Sequence, residues 1–404
     1  MTDDQVQIHP QPTVDFDTSV LDVSEDVEVV TVGLVPSPGH AEEVVADIAG
    51  DLPSLLRENV DDTVSWEIKV VPDPLTGSNI ETPQLLDELD EWRTPHGWSY
   101  AICVTDLPIR RQDRIVIGEA SIDRKLAWIS LPPLGVLWLR RRVRAAILEM
   151  MSEMRWGTPH PTDADAGSGR ARPLEPMISS RVAEGITPSE HEPTVDVRYH
   201  APRRLGHARL LAGMVYANQP WKLFPSFKTT VATAFATGGY VMVFSTVWVL
   251  GNQYALWRLV ALTLVSMSVL TGWIIISHQL WQPWRGATSR YLTSLYNSTT
   301  LLTIAVGVMF AYTAVFLLLL SASTIFIPPE ILESEIQRAV SPSNYLRIAW
   351  MGASVATIAG AIGAGLEDSE AVRNATFSWR QQNRYAEYQR LWGDRRRSGD
   401  DPGE

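Results

Sequence analysis

The chain has 404 residues, and its 46 acidic against 34 basic side chains give a formal charge of −12. Its mean hydropathy of −0.02 averages a polar first half with an apolar second half, so it excludes nothing until the halves are read apart. A single cysteine, Cys103, excludes an intramolecular disulfide and any cysteine-rich zinc or iron–sulfur centre.

Residues 1–26 are acidic, poor in aromatics and without periodicity, which predicts a disordered tail. No Lys or Arg precedes Arg57, so the basic and apolar regions of a secretory signal are missing and the N-terminus is expected in the cytoplasm. From 27 to 156 strand and helix signals alternate. Residues 27–35 read as a strand closed by Pro36-Ser37-Pro38-Gly39, 41–57 as an amphipathic helix, and 64–71 as a second strand closed by Pro72-Asp73-Pro74. A helical run at 83–92 leads to a third strand at 100–104, in which Cys103 reads as a buried residue. Short strands at 114–117 and 126–131 precede a long helix at 134–156. This order predicts an α/β cytoplasmic domain with a mixed sheet and the last helix packed on it.

The order Val104-Thr105-Asp106-Leu107, Gly118-Glu119-Ala120, Trp128-Ile129-Ser130-Leu131 and then a long helix resembles the catalytic core of archaemetzincin-like zinc metalloproteases. The resemblance covers residues 28–156 and implies a zincin-like fold. Such an enzyme needs His-Glu-x-x-His on that helix, because residues four apart share a face and offer two imidazoles to one zinc ion. The matching register here is Leu148-Glu149-Met150-Met151-Ser152, which keeps the carboxylate and has neither ligand. No catalytic residue, metal or cofactor is therefore expected, and Glu149 reads as a solvated helix residue. Asp106 and Glu119, a conceivable carboxylate pair, also read as solvated. His40, His96, His160, His191, His200 and His207 mostly stand beside Pro or Gly in loops, without ligand spacing, and no phosphate-cradling glycine loop occurs.

Arg140, Arg141, Arg142 and Arg144 are the densest basic feature of this half. On a helix they cover more than half the circumference, with Leu137, Leu139, Val143, Ile147 and Met150 or Met151 left for the core. The run reads either as a solvated face or as an electrostatic docking surface for anionic lipid or an acidic partner, the chain's own tail included.

Residues 157–200, rich in Pro, Gly, Ser and Asp, read as a flexible linker, and 201–228 as an amphipathic segment lying on the inner leaflet. Four stretches then have the length and apolarity to cross a bilayer: 229–250, 255–277, 299–325 and 345–366. Arg and Lys flank them at Arg203, Arg204, Arg209, Lys222 and Lys228, at Arg285 and Arg290, and through the basic tail 367–404. The intervening segments are uncharged (251–254) or acidic (326–344), which predicts both ends inside. Gly352, Ala356, Gly360 and Ala364 form a small-residue stripe for close helix packing, either within the bundle or in a homodimer.

This half, including Leu295-Tyr296-Asn297 and Gly365-Leu366-Glu367-Asp368, also resembles a family of uncharacterised four-helix integral membrane proteins of actinobacteria. Some of that family carry the label methylenetetrahydrofolate dehydrogenase, but neither a dinucleotide loop nor a Lys-centred folate motif stands here. The expected fold is an α/β domain followed by an all-α four-helix transmembrane domain. The expected function is non-catalytic: a plasma-membrane protein whose cytoplasmic domain binds a protein partner or scaffolds one, with the lipid bilayer as its other partner and no nucleic acid. The rivals are a membrane-anchored hydrolase or folate or nucleotide enzyme, and a small transporter. The latter is disfavoured because the predicted spans hold no Asp, Glu or Lys.

Overall fold

The computed structural model describes residues 28–73, 89–90, 93–111, 114–157, 196–201, 206–282 and 290–364. The acidic tail, the basic tail, residues 158–195 of the linker and most of the helix predicted at 83–92 lie outside them.

The first half folds around a mixed seven-stranded sheet. Its strands are β1 (Val29–Pro36), β2 (Ser65–Val70), β3 (Tyr100–Thr105), β4 (Ile109–Arg111), β5 (Arg114–Ser121), β6 (Leu126–Ser130) and β7 (Val197–His200). They lie in the order β2-β1-β3-β6-β5-β4, with β7 paired to β5. The first four run parallel, and β5 reverses against β6. Every residue of β3 and β6 is buried, as expected of strands covered on both faces. One face carries helices α1 (His40–Ala49), α2 (Leu52–Asn59) and α3 (Leu139–Trp156), which share a core of Leu34, Ile48, Ile102, Ile129, Val143 and Ile147. The other face buries Cys103, Trp98 and Trp128. A Cβ on Gly33 would run into the Trp98 indole, so glycine is what lets that ring lie across β1.

Three expectations change here. The helix expected at 41–57 is two helices, because Pro53 lacks an N–H and is tolerated only in a first turn, so a new helix starts after Gly50-Asp51. The helix expected from 134 begins at Leu139, behind a 3-10 turn (Pro132–Leu134) and positive φ at Gly135 and Trp138, so Leu137, expected on its core face, precedes the helix and is exposed. The linker expected over 157–200 ends in a strand: Val197 and Tyr199 turn into the core, and Asp196 pins the start of β7 by accepting the Ile122 amide at 2.6 Å.

The second half is helical, with α4 (Gly206–Ala217), a 3-10 segment (Pro220–Phe227), α5 (Lys228–Val241), α6 (Ser245–Gln253), α7 (Leu256–Ser277), α8 (Arg290–Phe326), α9 (Pro329–Ile336) and α10 (Pro342–Ala364). By length and composition α7 and α8 can each cross a membrane, and the bent run from Pro220 to Gln253 makes a third if it counts as one span. The straight span expected at 229–250 is instead broken by 96° between α5 and α6. At the break Trp248 Nε1 donates 2.8 Å to the Met242 carbonyl, and a buried Asn344–Asn252 bond of 2.7 Å seats α6 against the start of α10.

Helix α10 packs against α5, α6, α7 and α8. Its stripe faces α5: a Cβ on Gly360 would stand 3.2 Å from Ala234, one on Gly352 3.1 Å from Met242, and one on Gly238 of α5 3.0 Å from Ala356. The stripe is thus an intrachain surface at Gly352, Ala356 and Gly360, while the side chain of Ala364 lies outside the described residues. Polar side chains tie the same helices: Trp350 Nε1 donates to Thr263 Oγ1 at 2.7 Å, and Tyr312 OH meets Ser354 Oγ at 3.0 Å.

The two halves share a buried junction. Helix α8 has 37 residues, about 55 Å at 1.5 Å per residue, against a hydrocarbon core of about 30 Å. Its first turns bring Leu295 and Tyr296 together with Leu210 and Met214 of α4 and Leu107 and Ile115 of the sheet domain. The Arg110 guanidinium lies 3.9 Å over the Tyr291 ring. Helix α4, expected flat on the leaflet, is therefore a bridge whose Gly213 rests on Pro132. A Cβ there would meet the Pro132 carbonyl oxygen and come within 2.8 Å of its Cα. Gly213→Leu should loosen the junction while sparing the sheet: hydrogen exchange is expected to rise in 206–217 and 290–297 and to stay unchanged in β3 and β6.

Candidate functional site at the domain junction

The four arginines of α3 do different work. Arg142 Nη1 donates to the Leu134 carbonyl and so closes the 3-10 turn ahead of the helix. Gly135 is required in that turn, both by its φ of 77° and because a Cβ would meet the Arg209 side chain at 2.7 Å. Arg140 pairs with Asp47 at 2.6 Å, and Arg144 pairs with Asp51, so these two tie α3 to the α1–α2 hairpin. Arg141 is exposed and has no ion-pair or hydrogen-bond partner among the described residues.

Arg140, Arg141 and Arg144 form one wall of a cleft of about 490 Å³, whose other walls are α1 and the chain from Tyr216 to Lys222. Across it Glu43 accepts from Lys222 Nζ at 3.1 Å and Gln219 Nε2 at 2.6 Å. The Lys222 hydrogen bond holds the Glu43 carboxyl below its usual range, against an opposing effect of burial. His40, expected in a loop, is instead the buried first residue of α1, its ring set edge-on to Tyr216 at 5.3 Å. Tyr216 in turn stacks near Trp221 at 5.1 Å. Sequence reasoning found the arginine wall but missed the opposite one, which lies about eighty residues later in the chain; its only local signal is Trp221-Lys222.

The acids singled out in the sequence are not solvated. Asp106 is 1% exposed at the carboxyl end of β3, where it accepts from Ser37 Oγ at 3.2 Å. Glu119 is also 1% exposed and accepts from Trp128 Nε1 at 2.9 Å and Arg198 Nε at 2.5 Å. The two are held by different partners, because β7 brings an arginine to one and the β1 turn brings a serine to the other. Glu149 is half-buried beside Glu153, which accepts the Tyr199 hydroxyl at 3.0 Å. Burial raises the Glu149 carboxyl and Glu153 adds to the rise, with Tyr199 opposing. Burial, then both carboxylates, pushes the Tyr199 hydroxyl up. Leu148 at the first zinc-ligand position is buried, and among the described residues no group of three or more His, Cys, Asp or Glu side chains is placed to hold a metal ion.

No family model, no curated protein and no solved structure matches this chain.

Glu149 also sets a pH dependence. A carboxyl whose folded pKa is raised favours folding fully below its unfolded value, 4.5, and loses that contribution as pH rises through the folded value. Glu149→Gln is therefore expected to melt higher than the parent chain at pH 7.5, with the gain shrinking as pH falls through the raised folded value and gone below 4.5, in thermal scans of the full chain across that range.

Proposed function

We propose that the chain is a plasma-membrane protein with four crossings and cytoplasmic termini, whose α/β domain is a non-catalytic module that binds a protein partner. The supporting observation is the junction: Leu107, Ile115, Leu210, Met214, Leu295 and Tyr296 bury one apolar contact between the sheet domain, α4 and α8. A partner seated on the domain then acts directly on a helix that enters the bilayer, as a scaffold or receptor requires.

The crossings in this reading are the bent pair α5–α6, then α7, α8 and α10. Helix α10 is included because it packs against all the others and its middle residues Ile348, Ala349, Ala353 and Ala356 are fully buried. Orientation rests on charge: Glu330, Glu333 and Glu335 cluster on α9, while Arg209, Lys222, Lys228 and Arg290 stand at the opposite end. Against catalysis at the carboxyl ends of the parallel strands, where open α/β sheets usually bind ligands, Asp106 is 1% exposed and accepts a hydrogen bond from Ser37 Oγ at 3.2 Å. The zincin resemblance enters here as a scaffold: β3, β5, β6 and α3 follow in the order it requires, with Leu148 and Ser152 where ligands would stand.

Two measurements test this. In a Cys103→Ser background, a cysteine at Ser334 on α9 should react with a membrane-impermeant thiol reagent in intact cells, and one at the exposed turn residue Asp123 should not; the reverse pattern refutes the orientation. Photo-crosslinkers in cells at the exposed positions Val29, Arg57 and Asp123 should give a discrete protein adduct from at least one site, and failure at all three refutes the partner-binding role.

A further inference from the structure

We infer that the cleft between α1, the start of α3 and the 3-10 segment before α5 binds the phosphodiester of an anionic inner-leaflet phospholipid, with Arg141 as its main cation. The inference rests on the membrane reading above and adds a ligand to it.

Charge in the cleft is the first argument. Lys222 pairs with Glu43, Arg140 with Asp47, and Arg144 with Asp51 just outside, which leaves Arg141 as the cation without a partner among the described residues. One unmatched positive charge suits one phosphodiester, whose single negative charge needs no existing pair to break. The cleft's volume, about 490 Å³, falls within the usual size of small-molecule sites and accommodates a glycerophosphate headgroup.

Position is the second. The segment Pro220–Phe227 runs straight into α5, and its Leu223 and Phe227 close over Gly307 of α8, at 3.4 and 2.9 Å from where a Cβ would stand. Trp221 and Lys222 thus sit at the point where the chain enters the bundle. Around the cleft stand large apolar side chains that no core covers: Leu137 and Trp138, each 72% exposed, with Trp221 and Phe224 about half as exposed. A polar, cationic cleft with an aromatic rim matches the chemistry of the headgroup layer, where indoles concentrate. A site for a soluble anion has no use for that rim.

Backbone strain is the third. Trp138 holds φ 61°, a conformation that bulky residues rarely adopt and that persists only where surrounding structure enforces it. Here it sends the indole outward over the cleft instead of into the core.

The test uses the purified full chain in detergent, washed of lipid and offered equal amounts of phosphatidylglycerol and phosphatidylcholine, with bound lipid counted by native mass spectrometry. Phosphatidylglycerol should be retained preferentially. Arg141→Gln should lower its retention about fivefold, the factor that one well-placed cation near an anionic lipid is worth, with the melting temperature unchanged. Trp138→Ser should lower it with no change in charge, and millimolar inorganic phosphate should not displace it. Equal retention by Arg141→Gln, no preference between the lipids, or displacement by phosphate would each overturn the assignment. A chain that stays in solution without detergent would instead remove the membrane reading, so the two failures are distinguishable.

Discussion

Helix α8 is longer than a bilayer needs, and the surplus turns at its start are what the rest of the molecule is built on. Those turns carry Tyr291, Leu295 and Tyr296 out to meet α4 and the edge of the sheet domain. Each large apolar side chain buried there contributes about 1.5–3 kcal/mol, whereas an exposed ion pair such as Lys222–Glu43 contributes about 0–1 kcal/mol. The apolar contact therefore dominates, and the polar bonds around it set orientation. Asn218 Nδ2 donating to Thr303 Oγ1 at 2.8 Å does this at the end of α4, and the paired bonds of Asn297 to the Gln282 backbone do it at the turn between α7 and α8.

With the junction in place, the charges of the sheet domain acquire separate duties. Arginines that occupy one helix are divided among a turn carbonyl, two carboxylates of the neighbouring hairpin, and a cleft that exists only because α4 returns beside α1. The acids divide likewise. Glu119 is neutralised by an arginine from a strand that arrives nearly eighty residues later, and Asp106 is held by Ser37 of the turn after β1. Within the bundle the same pattern recurs: small residues on α10 let α5 approach, and the hydroxyls of Thr263, Tyr312 and Ser354 satisfy one another.

Local pattern fixed a good deal of this. The strands at Val29–Pro36, Ser65–Val70, Tyr100–Thr105 and Leu126–Ser130 follow from apolar runs closed by turn residues, and α7 and α8 from long apolar stretches, because such signals lie within one element and need no partner to be read. The burial of Cys103 followed for the same reason. What lay beyond the sequence depends on which segments meet. Val197–His200 is a strand only because β5 has an unpaired edge to offer, and the bend between α5 and α6 exists because Trp248 and Asn252 find partners in Met242 and Asn344. Glu149, Asp106 and Glu119 read as solvated because a lone acid in a sequence carries no sign of the tyrosine, serine or arginine that will bury it. The arginine cluster was legible as charge, but only tertiary structure could assign three of its members to partners and leave Arg141 facing a cleft, since pairing of charges is a property of distance in space and the sequence records only distance along the chain.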